Sequence, residues 1–207
     1  DLYRGRAKCE KNLFKFALFV SFFPQLIQGP ISRFSALEEQ LITPHSFSAK
    51  GLCFGLQRIL WGYFKKLVIA DRVLVAMKAL LKTPAEGEPE QFAGAYVLLL
   101  ILIYSVQIYA DFTGGIDITI GIAESMGIKL AENFERPFSS RSTKEYWRRW
   151  HITMGSWFRD YIFVPVSVTR PMMKLNKMLA GKIGRVAASK TVAYLASALT
   201  WFVTGLW

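Results

Sequence analysis

The sequence predicts an all-α, polytopic integral membrane protein. Three observations carry this. The chain is 52% hydrophobic and 14% aromatic, yet its formal net charge is +11. A twenty-residue stretch, Gln91–Ala110, has no charged residue. And the cations cluster, with thirteen Lys or Arg against four acids between residues 129 and 190. In water, a chain of 207 residues buries only about 70% of its unfolded surface, which leaves this much apolar surface poorly covered. A bilayer removes that difficulty, and gathered Lys and Arg then report the cytoplasmic side.

In chain order, residues 1–12 (DLYRGRAKCEKN) are polar and do not form a signal peptide. Leu13–Gln28 is apolar but short, carries Lys15 and is interrupted by Pro24, with the Gly29–Pro30 pair following. Such a break must be shielded by protein or line a wet cavity, so a short or re-entrant span is expected. Gly51–Leu81 is apolar, but Arg58, Lys65 and Arg72 recur every seven residues and share one helical face. Either this helix lies at the interface, or its basic stripe faces a polar cavity. The interface is favoured for the middle, where Lys65 and Lys66 would snorkel. Thr83–Gln91 (TPAEGEPEQ) is a loop, acidic and without cations, which suits the outer side.

Gln91–Ala110 is long enough to cross a hydrocarbon core. Beyond it, Tyr109–Gly121 (YADFTGGIDITIG) holds Asp111 and Asp117. Six residues apart, they face different ways on a helix and are not a carboxylate pair. Each is either a cap or ion-pair partner of a nearby Arg, or a functional acid. Part of this stretch alternates like a strand, but an open strand edge is not viable in lipid. A glycine-loosened helix or bend is expected, with Gly114, Gly115 and Gly121 allowing close packing. Thr191–Trp207 is a third uncharged run.

The densest feature is WRRWHITMGSW at 147–157. Ser142-x-x-Glu145 reads as a capping box that starts a helix. Trp147, Trp150, Met154, Trp157, Phe158 and Tyr161 then form one apolar stripe, with His151 inside it and Pro165 ending it. Indole rings beside guanidinium groups suit the headgroup region. The same pattern argues against a nucleic-acid surface, because the aromatics form one buried-type stripe between apolar spans. His151 has two readings: a hydrogen-bonded core residue, or an ionisable group at membrane depth suited to proton transfer.

Two cysteines, Cys9 and Cys53, do not make a disulfide framework or a zinc motif and read as small buried apolar side chains. Two histidines, His45 and His151, cannot make a histidine-rich metal site, and no metal is expected.

The stretches FFPQLIQGPISRF (22–34), YADFTGGIDITIGIAESMGIKLAENFERPF (109–138) and RSTKEYWRRWHITMGSWFRDYIFVPV (141–166) resemble the bacterial membrane-bound O-acyltransferases. The likeness extends over the whole chain and is closest to the branch that contains the alginate O-acetyltransferase membrane subunit, with the teichoic acid D-alanyl transfer protein near by. It implies a helical bundle of that family, present here in part as one domain over residues 1–207, with interfacial amphipathic helices and re-entrant segments. It also implies an enzyme that moves an acyl group, first of all acetyl, from a cytoplasmic thioester to hydroxyls of an extracytoplasmic polysaccharide. The donor would be acetyl-CoA or an acyl carrier thioester, with no bound cofactor. Partners would be the bilayer of the bacterial cell membrane, the donor, and the polysaccharide through periplasmic or extracellular transferases. The family's histidine after WRRW is His151. Its best-known histidine follows GLW and is expected directly after Trp207. The chain therefore reads as an internal fragment, inactive by itself. On this resemblance the helix at 147–157 lines the cytoplasmic side of an acyl-transfer tunnel. His151 is the catalytic candidate, and Trp147, Trp150, Arg148, Arg149, Asp111 and Asp117 are substrate- or tunnel-lining candidates. Alternatives are D-alanyl transfer to teichoic acid, and a non-catalytic membrane transport or scaffold subunit.

Overall fold

The computed structural model describes residues 1–5, 7–81 and 94–206. The expected loop at Thr83–Gln91, the first residues of the Gln91–Ala110 run, and Trp207 lie outside these. The described chain is helical, and the one β-bridge among the described residues joins Phe134 and Trp150. The all-α expectation holds. The fold divides into two compact units, Asp1–Asn133 and Phe134–Trp207.

In the first unit, α1 (Leu13–Val20) starts at Asn12, whose side chain accepts from the Phe14 and Lys15 N–H groups. It stops after two turns, and a 3-10 turn at Phe23–Gln25 contains Pro24. The apolar stretch is thus broken where proline removes a backbone donor. Helix α2 (Phe34–Ile42) follows. Helix α3 (Ala49–Tyr63) runs without a stop through a π-helical segment, Phe64–Ala70, into α4 (Asp71–Leu81).

Helix α5 (Gly94–Ser125) has 32 residues. At 1.5 Å per residue it is about 48 Å long, well beyond a hydrocarbon core of about 30 Å. The helix continues past Ala110, and of the helix or bend expected for the glycine-rich stretch after it, the chain forms helix to Ser125. The two halves differ in surroundings. Leu98, Ile101 and Leu102 are exposed, whereas Ala110, Ile116, Ile120 and Ala123 are buried.

Glycine explains how the second half packs. Gly62 and Gly114 face each other, as do Gly55 and Gly121. The pairing is antiparallel, with seven-residue spacing on both helices. A Cβ on Gly62 would stand 2.6 Å from the Gly114 carbonyl oxygen, and one on Gly121 2.7 Å from that of Gly55. Only glycine lets backbones approach this closely.

That approach brings charges together. Arg58 holds Glu132 with two guanidinium contacts of 2.7 and 2.6 Å and reaches Asp117 at 2.9 Å. Lys65 also binds Asp117, and Lys66 binds Asp111 at 2.5 Å. The expected snorkelling of Lys65 and Lys66 is overturned: both ammonium groups turn inward to carboxylates on α5. A charge-assisted hydrogen bond to a carboxylate competes with snorkelling to water, and here two carboxylates lie within reach. The cysteine expectation also fails, since Cys9 and Cys53 are both exposed.

In the second unit, α6 (Thr143–Arg149), α7 (Ile152–Phe158), a π-helical turn at Arg159–Phe163 and α8 (Val164–Ser167) follow one another. Helices α9 (Arg170–Ile183) and α10 (Arg185–Leu206) complete it, packed on each other. Among the described residues, two helices, α5 and α10, are long and apolar enough to cross a membrane.

Candidate functional site

The start of α6 is set by Ser142, whose hydroxyl accepts from the Glu145 N–H at 3.2 Å. Glu145 reaches back to the N–H of Arg141 at 3.0 Å, one residue earlier than a standard capping box. That N–H, with Arg149 beside it, holds the Glu145 carboxyl below the usual carboxylate range.

The single helix expected from the tryptophan stripe is broken. Trp150 is extended (φ −101°, ψ 125°), and His151 is left-handed (φ 45°, ψ 54°). Two features hold the break. The Glu135 N–H donates to the Arg149 carbonyl at 3.0 Å, closing the bridge between Phe134 and Trp150. The Trp150 ring sits among Phe134 (5.0 Å), Tyr146 (5.6 Å) and Phe138 (6.2 Å). A continuous helix would carry Trp150 away from this aromatic cluster. The His151 carbonyl then accepts from Gly155 at 3.0 Å and starts α7. Pro165 does not stop the helical path either, which runs to Ser167 as α8.

The break opens a cavity of about 550 Å³ in the second unit. One wall comes from α6 and α7: Trp147, Arg148, Trp150, His151, Met154 and Ser156. Phe158, Arg159 and Phe163 close one side. The opposite wall is α10, with Ser197, Thr200, Trp201 and Thr204. The rings of Trp147 and Trp201 meet edge to face at 4.7 Å. Thr200 and Thr204 spend their hydroxyl protons on carbonyls one turn back, at 2.8 Å each, so their oxygens remain as acceptors. Burial pushes the His151 pKa below its ordinary 6.5, which favours the neutral imidazole.

The expected site residues therefore separate. His151, Trp147, Trp150 and Arg148 share the cavity wall. Arg149 is not part of that lining; its guanidinium binds Glu145 at 2.6 Å. Asp111 and Asp117 belong to the first unit, in ion pairs with lysines as well as an arginine. Sequence reasoning missed Arg159 and the α10 wall. A serine, two threonines and a tryptophan at 197, 200, 204 and 201 do follow helical spacing, and that was the available signal.

The arrangement is an imidazole, its neutral form favoured by burial, beside a cavity lined by indole rings in a helical chain. The chain belongs to the membrane-bound O-acyltransferase family, whose model matches residues 8–181. It is 37% identical over 172 residues to a probable alginate O-acetylase of Pseudomonas putida, covering 82% of this chain and 34% of that protein. A peptidoglycan O-acetyltransferase of Helicobacter pylori is 35% identical over 157 residues, covering 75% of this chain and 29% of that one. A teichoic acid D-alanyltransferase of Bacillus subtilis is 30% identical over 184 residues, covering 87% and 45%. The chain thus spans about a third of the length of the first of these curated relatives.

Proposed function

We propose that the whole protein is a membrane O-acyltransferase of the bacterial cell membrane. It passes an acetyl group from a cytoplasmic thioester to hydroxyls of an extracytoplasmic polysaccharide. The observation that carries this is the imidazole of His151 on the wall of a tryptophan-lined cavity, in a chain similar to named O-acetyltransferases.

The chemistry is an ester exchange. The acceptor oxygen attacks the thioester carbonyl carbon, a C–O bond forms, the C–S bond breaks, and the thiol leaves with the proton of the hydroxyl. A hydroxyl is a weak nucleophile and its attack creates an oxyanion, so the site needs proton acceptance and a donor aimed at that oxygen. A neutral His151 supplies an N–H donor to the carbonyl. The indole rings of Trp147, Trp150 and Trp201 limit hydrolysis of the thioester by excluding water. Arg148 and Arg159, both on the cavity wall, draw in a phosphate-bearing donor such as coenzyme A or a phosphopantetheine carrier. Residues 129–190 face the cytoplasm, where that donor resides, by their excess of cations.

The test is His151→Ala in the full-length protein, with O-acetyl groups on the envelope and exopolymer quantified after mild alkaline release. Transfer falls by at least about a hundredfold, the scale of a lost acid–base or oxyanion group, while the protein still inserts in the membrane. Near-normal acetylation would remove His151 from the mechanism. Release of D-alanine in place of acetate would reassign the acyl group.

A further inference from the structure

Helix α9 has two unlike faces. Met172, Leu175, Asn176, Leu179 and Ala180 recur at helical spacing and are half-buried, on the side packed against α10. The outer face is exposed and carries Arg170, Lys174, Lys177 and Lys182. Met173 and Met178, 51% and 54% exposed, stand among them. From Tyr161 to Leu206 the sequence has six Lys or Arg and no Asp or Glu. A solvated surface helix ordinarily mixes both signs, so an outer face of one sign is complementary to an anionic surface.

Covalent geometry says which surface. One residue, Gly184 at φ 85°, separates α9 from α10, which is long and apolar enough to cross a bilayer. Arg185 opens α10. A single residue spans under about 4 Å, so the end of α9 stays at the height where α10 leaves the hydrocarbon. That is the headgroup layer. There, lysine ammonium groups reach phosphodiester oxygens while thioether side chains enter the acyl boundary.

We propose that the outer face of α9 is a binding surface for anionic phospholipid headgroups. Lys174, Lys177 and Lys182 supply the charge, and Met173 and Met178 are the apolar anchors. Near an anionic leaflet each lysine raises local headgroup occupancy about fivefold. The surface lies outside the His151 cavity lining, and its test does not depend on acyl transfer.

The experiment reconstitutes the full-length protein in nanodiscs of equal parts phosphatidylcholine and phosphatidylglycerol. Lipid retained on extraction into mild detergent is counted by mass spectrometry. The wild type retains phosphatidylglycerol several-fold over phosphatidylcholine. A Lys174→Gln, Lys177→Gln, Lys182→Gln variant loses that preference, and the matching triple Arg variant keeps it. An unchanged preference in the Gln variant overturns the proposal. So does an unchanged lipid preference accompanied by lost capture of an acidic acyl carrier protein, which would give the surface to a protein partner instead.

Discussion

His151 occupies a backbone region that non-glycine residues visit seldom and at a cost of about 1–3 kcal/mol. Its φ of 45° is what turns the chain from α6 into α7 and leaves the imidazole on the cavity wall. Burial there lowers its pKa from 6.5. The linkage sign follows. Below pH 6.5 the unfolded chain takes up a proton that the folded site resists, so the unfolded state binds more protons and stability falls as pH falls. Above pH 6.5 the group is neutral in both states and stability is full. A His151→Gln variant therefore shows a shallower loss of thermal stability between about pH 6.5 and 5 than the wild type, by scanning unfolding in detergent. Equal slopes would mean that the imidazole is not desolvated. At this scale the sequence was partly readable. It singled out His151, Trp147, Trp150 and Arg148, but gave Arg149 the same standing. Two adjacent arginines look alike in a string. The Glu145 carboxylate, 2.6 Å from Arg149, separates them.

At the scale of elements, α3 and α5 show how small residues and charges cooperate. Glycine contact at Gly62/Gly114 and Gly55/Gly121 draws the backbones close, and the long cationic side chains beside them then meet Asp111 and Asp117. Lys65 and Asp117 are only 13% and 16% exposed. Removing one partner of such a pair strands a charge. Asp117→Asn costs about 3 kcal/mol or more of stability, while the double variant Asp117→Asn, Lys65→Met recovers most of it. Equal losses in single and double variants, by denaturant titration in micelles, would show that the pair carries no coupling. Of the heptad-spaced Arg58, Lys65 and Arg72, the first two do share a face, since both reach Asp117, but the sequence left open what that face meets. The partners lie 52 and 59 residues away, beyond any local pattern. The break in the 147–157 stripe was likewise hidden, because it depends on pairing with Phe134 rather than on a proline or glycine in the stripe.

For the molecule as a whole, charge distribution and apolar length point to orientation. We expect residues 129–190 on the cytoplasmic side. With every cysteine replaced by serine, Cys9 and Cys53 among them, a variant of the full-length protein with cysteine at the exposed position Lys144 (Lys144→Cys) reacts with an impermeant maleimide in inside-out vesicles and not in intact cells or spheroplasts. Labelling from the outside would invert the topology and move the donor entrance. The accessible cysteines are the reason for removing both first.

What the sequence determined by itself was the solvent and the class. Uncharged runs and clustered cations set the solvent, because hydropathy and composition are local properties that no packing can reverse, and the likeness of the stretches at 22–34, 109–138 and 141–166 to a membrane family set the class. What only the tertiary structure decided was which polar groups are committed to one another and which line a cavity. It bound Lys65 and Lys66 to carboxylates, withdrew Arg149 from the cavity wall, and placed Trp201 and Thr200 opposite His151. Apart from the Glu145–Arg149 pair, four positions apart, these are distances between residues tens of positions apart, and the pattern along the chain carries periods, not distances.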